Sequence, residues 1–127
     1  MNISAAAKAA GLPTKTVRYY ADIGLVSPTT RSDAGYRTYD AAAVRKLTFV
    51  RRARAFGFGI ETCRELLDLY QDEARTSAEV KRIASAHLDE IRAKQAELQR
   101  LADELAHLVK ACQGDHRPDC PILDYLG

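Results

Sequence analysis

Gly11-Leu12-Pro13-Thr14-Lys15-Thr16-Val17-Arg18-Tyr19-Tyr20-Ala21-Asp22-Ile23-Gly24 reads as one short helix between two glycine stops. Pro13 sits where the helix would start, a position that tolerates its missing N–H. Lys15, Arg18, Tyr19 and Asp22 follow the i, i+3, i+4, i+7 rule and share one face. Val17, Ala21 and Gly24 lie on the other side. The exposed face therefore carries cations and an aromatic, while small apolar residues pack inward. Upstream, Ser4 is an N-cap candidate for a first helix containing Ala6, Ala7 and Ala10, which Gly11 closes. A short helix, a glycine turn and a second helix of this kind predict a helix-turn-helix.

Downstream, Ser32-Asp33-Ala34-Gly35 is a turn signal, with Gly35 able to take a positive φ. Thr and Tyr residues flank it, as in a two-stranded hairpin displaying Arg31, Tyr36 and Arg37. The hairpin has too few apolar residues for a core element and reads as a wing laid against something charged. Asp40 is the N-cap of a third helix, through Phe56, made basic by Arg45, Lys46, Arg51, Arg52 and Arg54. A fourth helix runs from Ile60 to Tyr70, with Cys63 on its apolar stripe as a small core residue. Residues 71–75 read as a linker.

Thr76 and Glu79 fit a capping box, and nothing breaks the helix that follows until Gly114. Its 4-3 seam is Val80, Ala84, His87, Ile91, Lys94, Leu98, Leu101, Leu105, Leu108 and Cys112. Such a seam is that of a coiled coil, and a long helix has no means of burying it alone. A second copy of the chain, giving a symmetric homodimer, is the favoured solution over folding back on the first lobe. Antiparallel pairing sets large residues against small or polar ones in two layers and is preferred to parallel.

The 127 residues suit one compact unit or two small lobes. Residues 1–57 carry ten Lys/Arg against three Asp/Glu, a net +7; residues 58–127 carry nine against fourteen, a net −5. A basic first half with an acidic remainder points to a polyanion partner for the first half only. No apolar run reaches membrane-spanning length, and Lys8, Lys15 and Arg18 interrupt any leader-like stretch. A cytoplasmic protein without a membrane partner is expected. No P-loop, dinucleotide-binding glycines, nucleophile–base pair or carboxylate dyad appears, so the chain is not expected to be an enzyme. A metal-buffering dimer without a nucleic-acid role is disfavoured by the basic winged lobe.

Chemistry concentrates in Cys112-Gln113-Gly114-Asp115-His116-Arg117-Pro118-Asp119-Cys120-Pro121. Two sulfurs held by a short turn can face each other across one ion. Thiolates select soft metals, Cu(I) among them. Two of them suit a two-coordinate monovalent ion better than the four-ligand shell of structural zinc. Alternatives stay open: a thiol redox switch, packing alone, or a zinc sensor using Cys112, His116, Cys120 and His107. Ser77, at the start of the long helix, would lie beside the partner's Cys112 in an antiparallel dimer. It is expected to surround the metal rather than bind it.

Thr14 to Tyr20, Gly24-Leu25, Gly35-Tyr36-Arg37-Thr38-Tyr39 and the Arg-rich helix ending Phe56-Gly57-Phe58 resemble the MerR family of transcriptional regulators. The Cys112-to-Cys120 spacing followed by Pro121-Ile122 resembles its copper-efflux, CueR/HmrR-type branch. The resemblance implies a mainly α fold: a winged helix-turn-helix DNA-binding domain (1–70), a linker (71–75), a coiled-coil dimerisation helix (76–111) and a metal-binding loop with a short C-terminal segment (112–127). It implies a homodimer that distorts double-stranded promoter DNA when Cu(I), and by chemical kinship Ag(I) or Au(I), binds Cys112 and Cys120. RNA polymerase then starts on copper-resistance or efflux genes. Lys15, Arg18 and Tyr19 are carried over as major-groove residues. Arg31, Tyr36 and Arg37 are carried over as phosphate contacts of the wing, joined by Arg52 and Arg54. Divalent-ion sensors of the family place a third Cys where Ser77 stands here, which points to a monovalent ion.

Overall fold

The computed structural model describes residues 1–31 and 33–127; Ser32, first residue of the expected turn, lies outside the described residues. The elements are α1 (Ile3–Ala10), α2 (Thr14–Asp22), β1 (Thr30–Arg31), β2 (Arg37–Thr38), α3 (Ala41–Ala55), α4 (Ile60–Gln71), α5 (Ser77–Ala111) and α6 (Pro121–Leu126). The fold is mainly helical, with a two-stranded hairpin between α2 and α3. Two compact units divide it, Met1–Val80 and Lys81–Gly127.

In the first unit, α1 starts two residues earlier than its sequence suggests. Asn2, not Ser4, is the N-cap, its side-chain oxygen accepting from Ala5 N–H at 2.8 Å. Asparagine fills this role as well as serine. Pro13 is likewise the N-cap of α2 rather than its first helical residue, and its carbonyl accepts from Thr16 and Val17. Asp40 caps α3 as expected, accepting from Ala43 N–H at 2.8 Å.

The core gathers Ala6, Ala7 and Ala10 of α1 with Val17 and Tyr20 of α2, Leu47 and Val50 of α3, and Leu67 of α4. The three alanines let α1 approach α3 and α2 closely. Fully buried Leu47, Val17 and Val50 each contribute on the order of 1.5–3 kcal/mol by leaving water. Cys63 is also fully buried, and burial pushes its thiol pKa up. It is packing, as its place on the apolar stripe predicts.

The hairpin is antiparallel, Thr30 opposite Thr38 and Arg31 opposite Arg37, and Gly35 takes φ +83° in the turn. Asn2 adds a bridge to Thr38, so the hairpin root is held from α1. Between α4 and α5, residues 72–75 form a tied turn. Asp72 accepts from Ala74 N–H at 2.9 Å, and Arg75 donates back to the Asp72 carbonyl at 2.9 Å.

α5 begins where Thr76 Oγ1 accepts from Glu79 N–H at 3.4 Å, and it runs 35 residues without a break. In the second unit most of its apolar seam faces outward: Leu98 is 64% exposed, Leu101 53% and Leu105 54%. α6 was not legible as a helix in the sequence, although Pro121 at its first turn is a start signal. Among the described residues, no helix is long and apolar enough to cross a membrane.

Candidate functional site

α2 turns Lys15, Arg18 and Tyr19 outward while Val17 and Tyr20 enter the core. The buried Tyr20 ring supports Tyr19, with centroids 6.0 Å apart at 46°. Arg31 and Tyr36 of the hairpin are exposed. Arg37 is not presented in the same way. Facing Arg31 across the ladder, it would meet like charge. Its guanidinium turns instead to Asp22 of α2 at 2.9 Å and reaches the Arg18 carbonyl at 3.4 Å. The pair fastens the hairpin to α2; at its partly exposed position such a bridge contributes at most about 1 kcal/mol. Burial raises the Tyr39 hydroxyl pKa, opposed by the charges of Arg37, Arg31 and Arg18.

The basic residues of α3 divide by role. Arg52 is exposed. Arg54 is exposed but donates to the Phe58 carbonyl at 2.8 Å. Arg51 points inward and donates to the Ala10 carbonyl at the end of α1, at 2.8 Å. Arg64 of α4 does the same for α2, donating to the carbonyls of Ile23 and Gly24 at 3.0 Å each. Terminal helix carbonyls lack intrahelical partners and carry partial negative charge, which a guanidinium satisfies. Counting cations along the sequence does not separate these struts from outward-facing charge. Asp22 as the anchor of Arg37 was also missed, though its place on the Lys15–Arg18 face was the available signal.

In the second unit, Cys112 follows the last residue of α5 and Cys120 precedes the first of α6. Their sulfurs lie 3.7 Å apart and both thiols are free. That is well beyond the roughly 2.05 Å of a disulfide. A single ion held linearly at about 2.3 Å from each sulfur needs them about 4.6 Å apart, so the pair has to open by roughly 0.9 Å to take it. Residues 113–119 fold on themselves: Asp115 accepts from Arg117 N–H and from its guanidinium at 2.9 Å each. That pairing holds the Asp115 carboxyl below its usual pKa. The Leu123 N–H favours the Cys120 thiolate and, with Cys112 and Ile122 N–H assisting, draws its pKa down although no full cap bond forms. Among the described residues, no group of three or more His, Cys, Asp or Glu side chains gathers as a metal shell. The four-donor set of Cys112, His116, Cys120 and His107 is therefore not assembled. Ser77 is the first residue of α5 and Cys112 follows its last, so one chain sets them at opposite ends of that helix.

The chain is similar to known proteins along nearly its whole length. The family profile described as MerR HTH family regulatory protein matches residues 1–70, and that described as MerR, DNA binding matches residues 44–108. The HTH-type transcriptional regulator HmrR of Rhizobium leguminosarum bv. viciae is 53% identical, over 99% of this chain and 97% of that protein. The HTH-type transcriptional regulator CueR of Salmonella typhimurium is 45% identical, over 99% and 91%. Among solved structures, the transcription regulator PbrR691 from Ralstonia metallidurans CH34 in complex with lead(II) superposes with a TM-score of 0.87. It is 33% identical, over 100% of this chain and 99% of that one. These relatives are transcriptional regulators rather than enzymes, and the match runs through the winged first unit, α5 and the cysteine loop: the chain belongs to the MerR family of helix-turn-helix regulatory proteins.

Proposed function

We propose that this chain is a Cu(I)-responsive transcriptional activator, responsive also to Ag(I) or Au(I), which works as a homodimer on the promoters of copper-resistance or efflux genes. The observation that carries the reading is the pair of sulfurs, Cys112 and Cys120, 3.7 Å apart with no third donor gathered around them among the described residues. A soft monovalent ion accepts two thiolates and needs no further ligand, whereas structural zinc takes four. Bound there, the ion would form a complex of net charge −1. Ser77 at the start of the partner chain's α5 supplies polar surroundings in the antiparallel arrangement. The lead(II) complex is a property of PbrR691. Here Ser77 stands where the resemblance expects a third Cys in sensors of divalent ions.

On the nucleic-acid side, Lys15, Arg18 and Tyr19 of α2 enter the major groove, Arg18 reading a base edge. Arg31 and Tyr36 hold phosphates, Arg52 and Arg54 add positive charge nearby, and Arg37 orients the wing through Asp22. Phosphate contacts set the register and base contacts the sequence. Activation is then indirect readout. The metal-loaded dimer holds DNA in a bent and untwisted form that RNA polymerase uses. Smooth bending of such a site costs on the order of 1–6 kcal/mol. A ligand that favours one dimer geometry by a few kcal/mol decides between the two forms.

In vitro transcription from a copper-export promoter, titrated with buffered Cu(I), tests the whole reading. Cys112→Ser and Cys120→Ser are expected to abolish the metal response while leaving promoter binding intact in a gel shift. A full response by either variant would show that another ligand set operates. Activation by oxidant in place of Cu(I), with no Cu(I) bound under reducing conditions, would establish the thiol redox switch instead.

A further inference from the structure

α6 is only six residues long, yet Cys120 depends on where it lies. It follows α5 back from the loop: Leu101, Leu105 and Leu108 of α5 line a shallow groove of about 210 Å³ together with Ile122 and Leu126 of α6. Apolar contact of this kind is non-directional and leaves a short helix able to slide or roll. One polar contact does have direction. The Tyr125 hydroxyl donates to Glu104 Oε1, joining residues 21 apart in the chain. The carboxylate acceptor and its charge hold the phenol in its protonated form, and the Tyr125 pKa is raised accordingly.

Glu104 stands eight residues before Cys112 on α5, roughly 12 Å along the axis; Tyr125 stands five residues after Cys120. The loop between the sulfurs is tied internally through Asp115 and Arg117, so these bonds shape the loop without fixing α6 on α5. We infer that the Tyr125–Glu104 hydrogen bond is a latch that sets the register of α6 on α5 and so preorganises Cys112 and Cys120 for a single ion. Tyr125 and Glu104 are positioning residues: neither is a ligand, and both act through the placement of Cys120. Ordering two ligands before the ion arrives raises affinity by removing that cost from the binding step. This inference rests on the proposed metal reading of the cysteine pair.

The test uses the full chain, with Cu(I) affinity measured under reducing conditions against a chromophoric Cu(I) chelator, and amide hydrogen exchange of α6 measured without metal. Tyr125→Phe and Glu104→Ala are each expected to weaken Cu(I) binding about fivefold, the scale of one net hydrogen bond. The double variant should be no weaker than either single one, since both remove the same bond. Glu104→Gln, whose amide oxygen still accepts, should return to within about twofold of wild type. Exchange at α6 should quicken in Tyr125→Phe and Glu104→Ala and not in Glu104→Gln. Wild-type affinity in both single variants, additive losses in the double, or Glu104→Gln behaving as Glu104→Ala would overturn the latch. If the wild type binds no Cu(I), the metal reading falls, and the exchange pattern alone upholds or overturns the latch.

Discussion

Arg31 and Arg37 face each other across two strands and yet differ in surroundings, one exposed, the other half-buried against Asp22. Each phosphate neutralised by a cation steepens the salt dependence of DNA binding by about 0.9 in log–log slope. Arg31→Ala is expected to lower that slope by about this amount and Arg37→Ala by distinctly less, because its charge is already matched by Asp22. Fluorescence anisotropy on operator DNA over a salt series would measure both. Equal reductions would mean that DNA draws Arg37 away from Asp22. At this scale the sequence was legible in part. The pattern of Lys15, Arg18 and Tyr19 against Val17 identified the outer face of α2, because helical period alone decides it. It did not separate Arg52, which stays outside, from Arg51, which spans to the Ala10 carbonyl. Adjacent positions on a basic helix look alike until the neighbouring helix is in place.

Among the elements, α3 depends on its cap. The Asp40 carboxyl pKa is lowered first by the Ala43 N–H and then by the Thr29 hydroxyl. A depressed carboxyl pKa adds stability above the ordinary carboxylate range, and that stability is lost as pH falls through the folded value. Asp40→Asn should keep the cap and remove its acid sensitivity, whereas Asp40→Ala should lower the melting temperature near neutral pH; thermal melts at pH 7 and pH 3 would show it. Helix ends were the less legible feature. Ser4 and Asn2 both suit an N-cap, and the bond from Ala5 N–H to the Asn2 side chain settles where α1 begins. α6 escaped for a related reason: six residues carry too little periodicity, and its place depends on Tyr125 meeting Glu104 across a loop. α5, with 35 residues of one period and a capping threonine, was plain.

For the whole molecule, the stripe of Leu98, Leu101 and Leu105 is apolar surface that a single chain leaves more than half exposed. Replacing Leu98 by Lys should shift the protein from dimer toward monomer in sedimentation velocity. Promoter affinity should fall with it, because two linked half-site contacts become one. A dimer undisturbed by the lysine would move the interface off the seam. Surplus apolar spacing along a lone helix reveals that a partner surface is needed. It reveals less about pairing direction, which rested on large-against-small matching of residues such as Ala84 and Leu105.

Gly11 carries one further consequence. It sits at φ +73°, and a β-carbon there would come within 3.3 Å of Arg51 Nε, the same atom that serves the Ala10 carbonyl. Positions 11 and 51 are therefore not independent letters of this sequence. Drift at either one is judged in the context of the other. Shortening Arg51 removes the contact but not the cost of a side chain at this φ, and it strips the end of α1 of its counter-charge. Homologues that abandon the glycine should carry a different solution forty residues away.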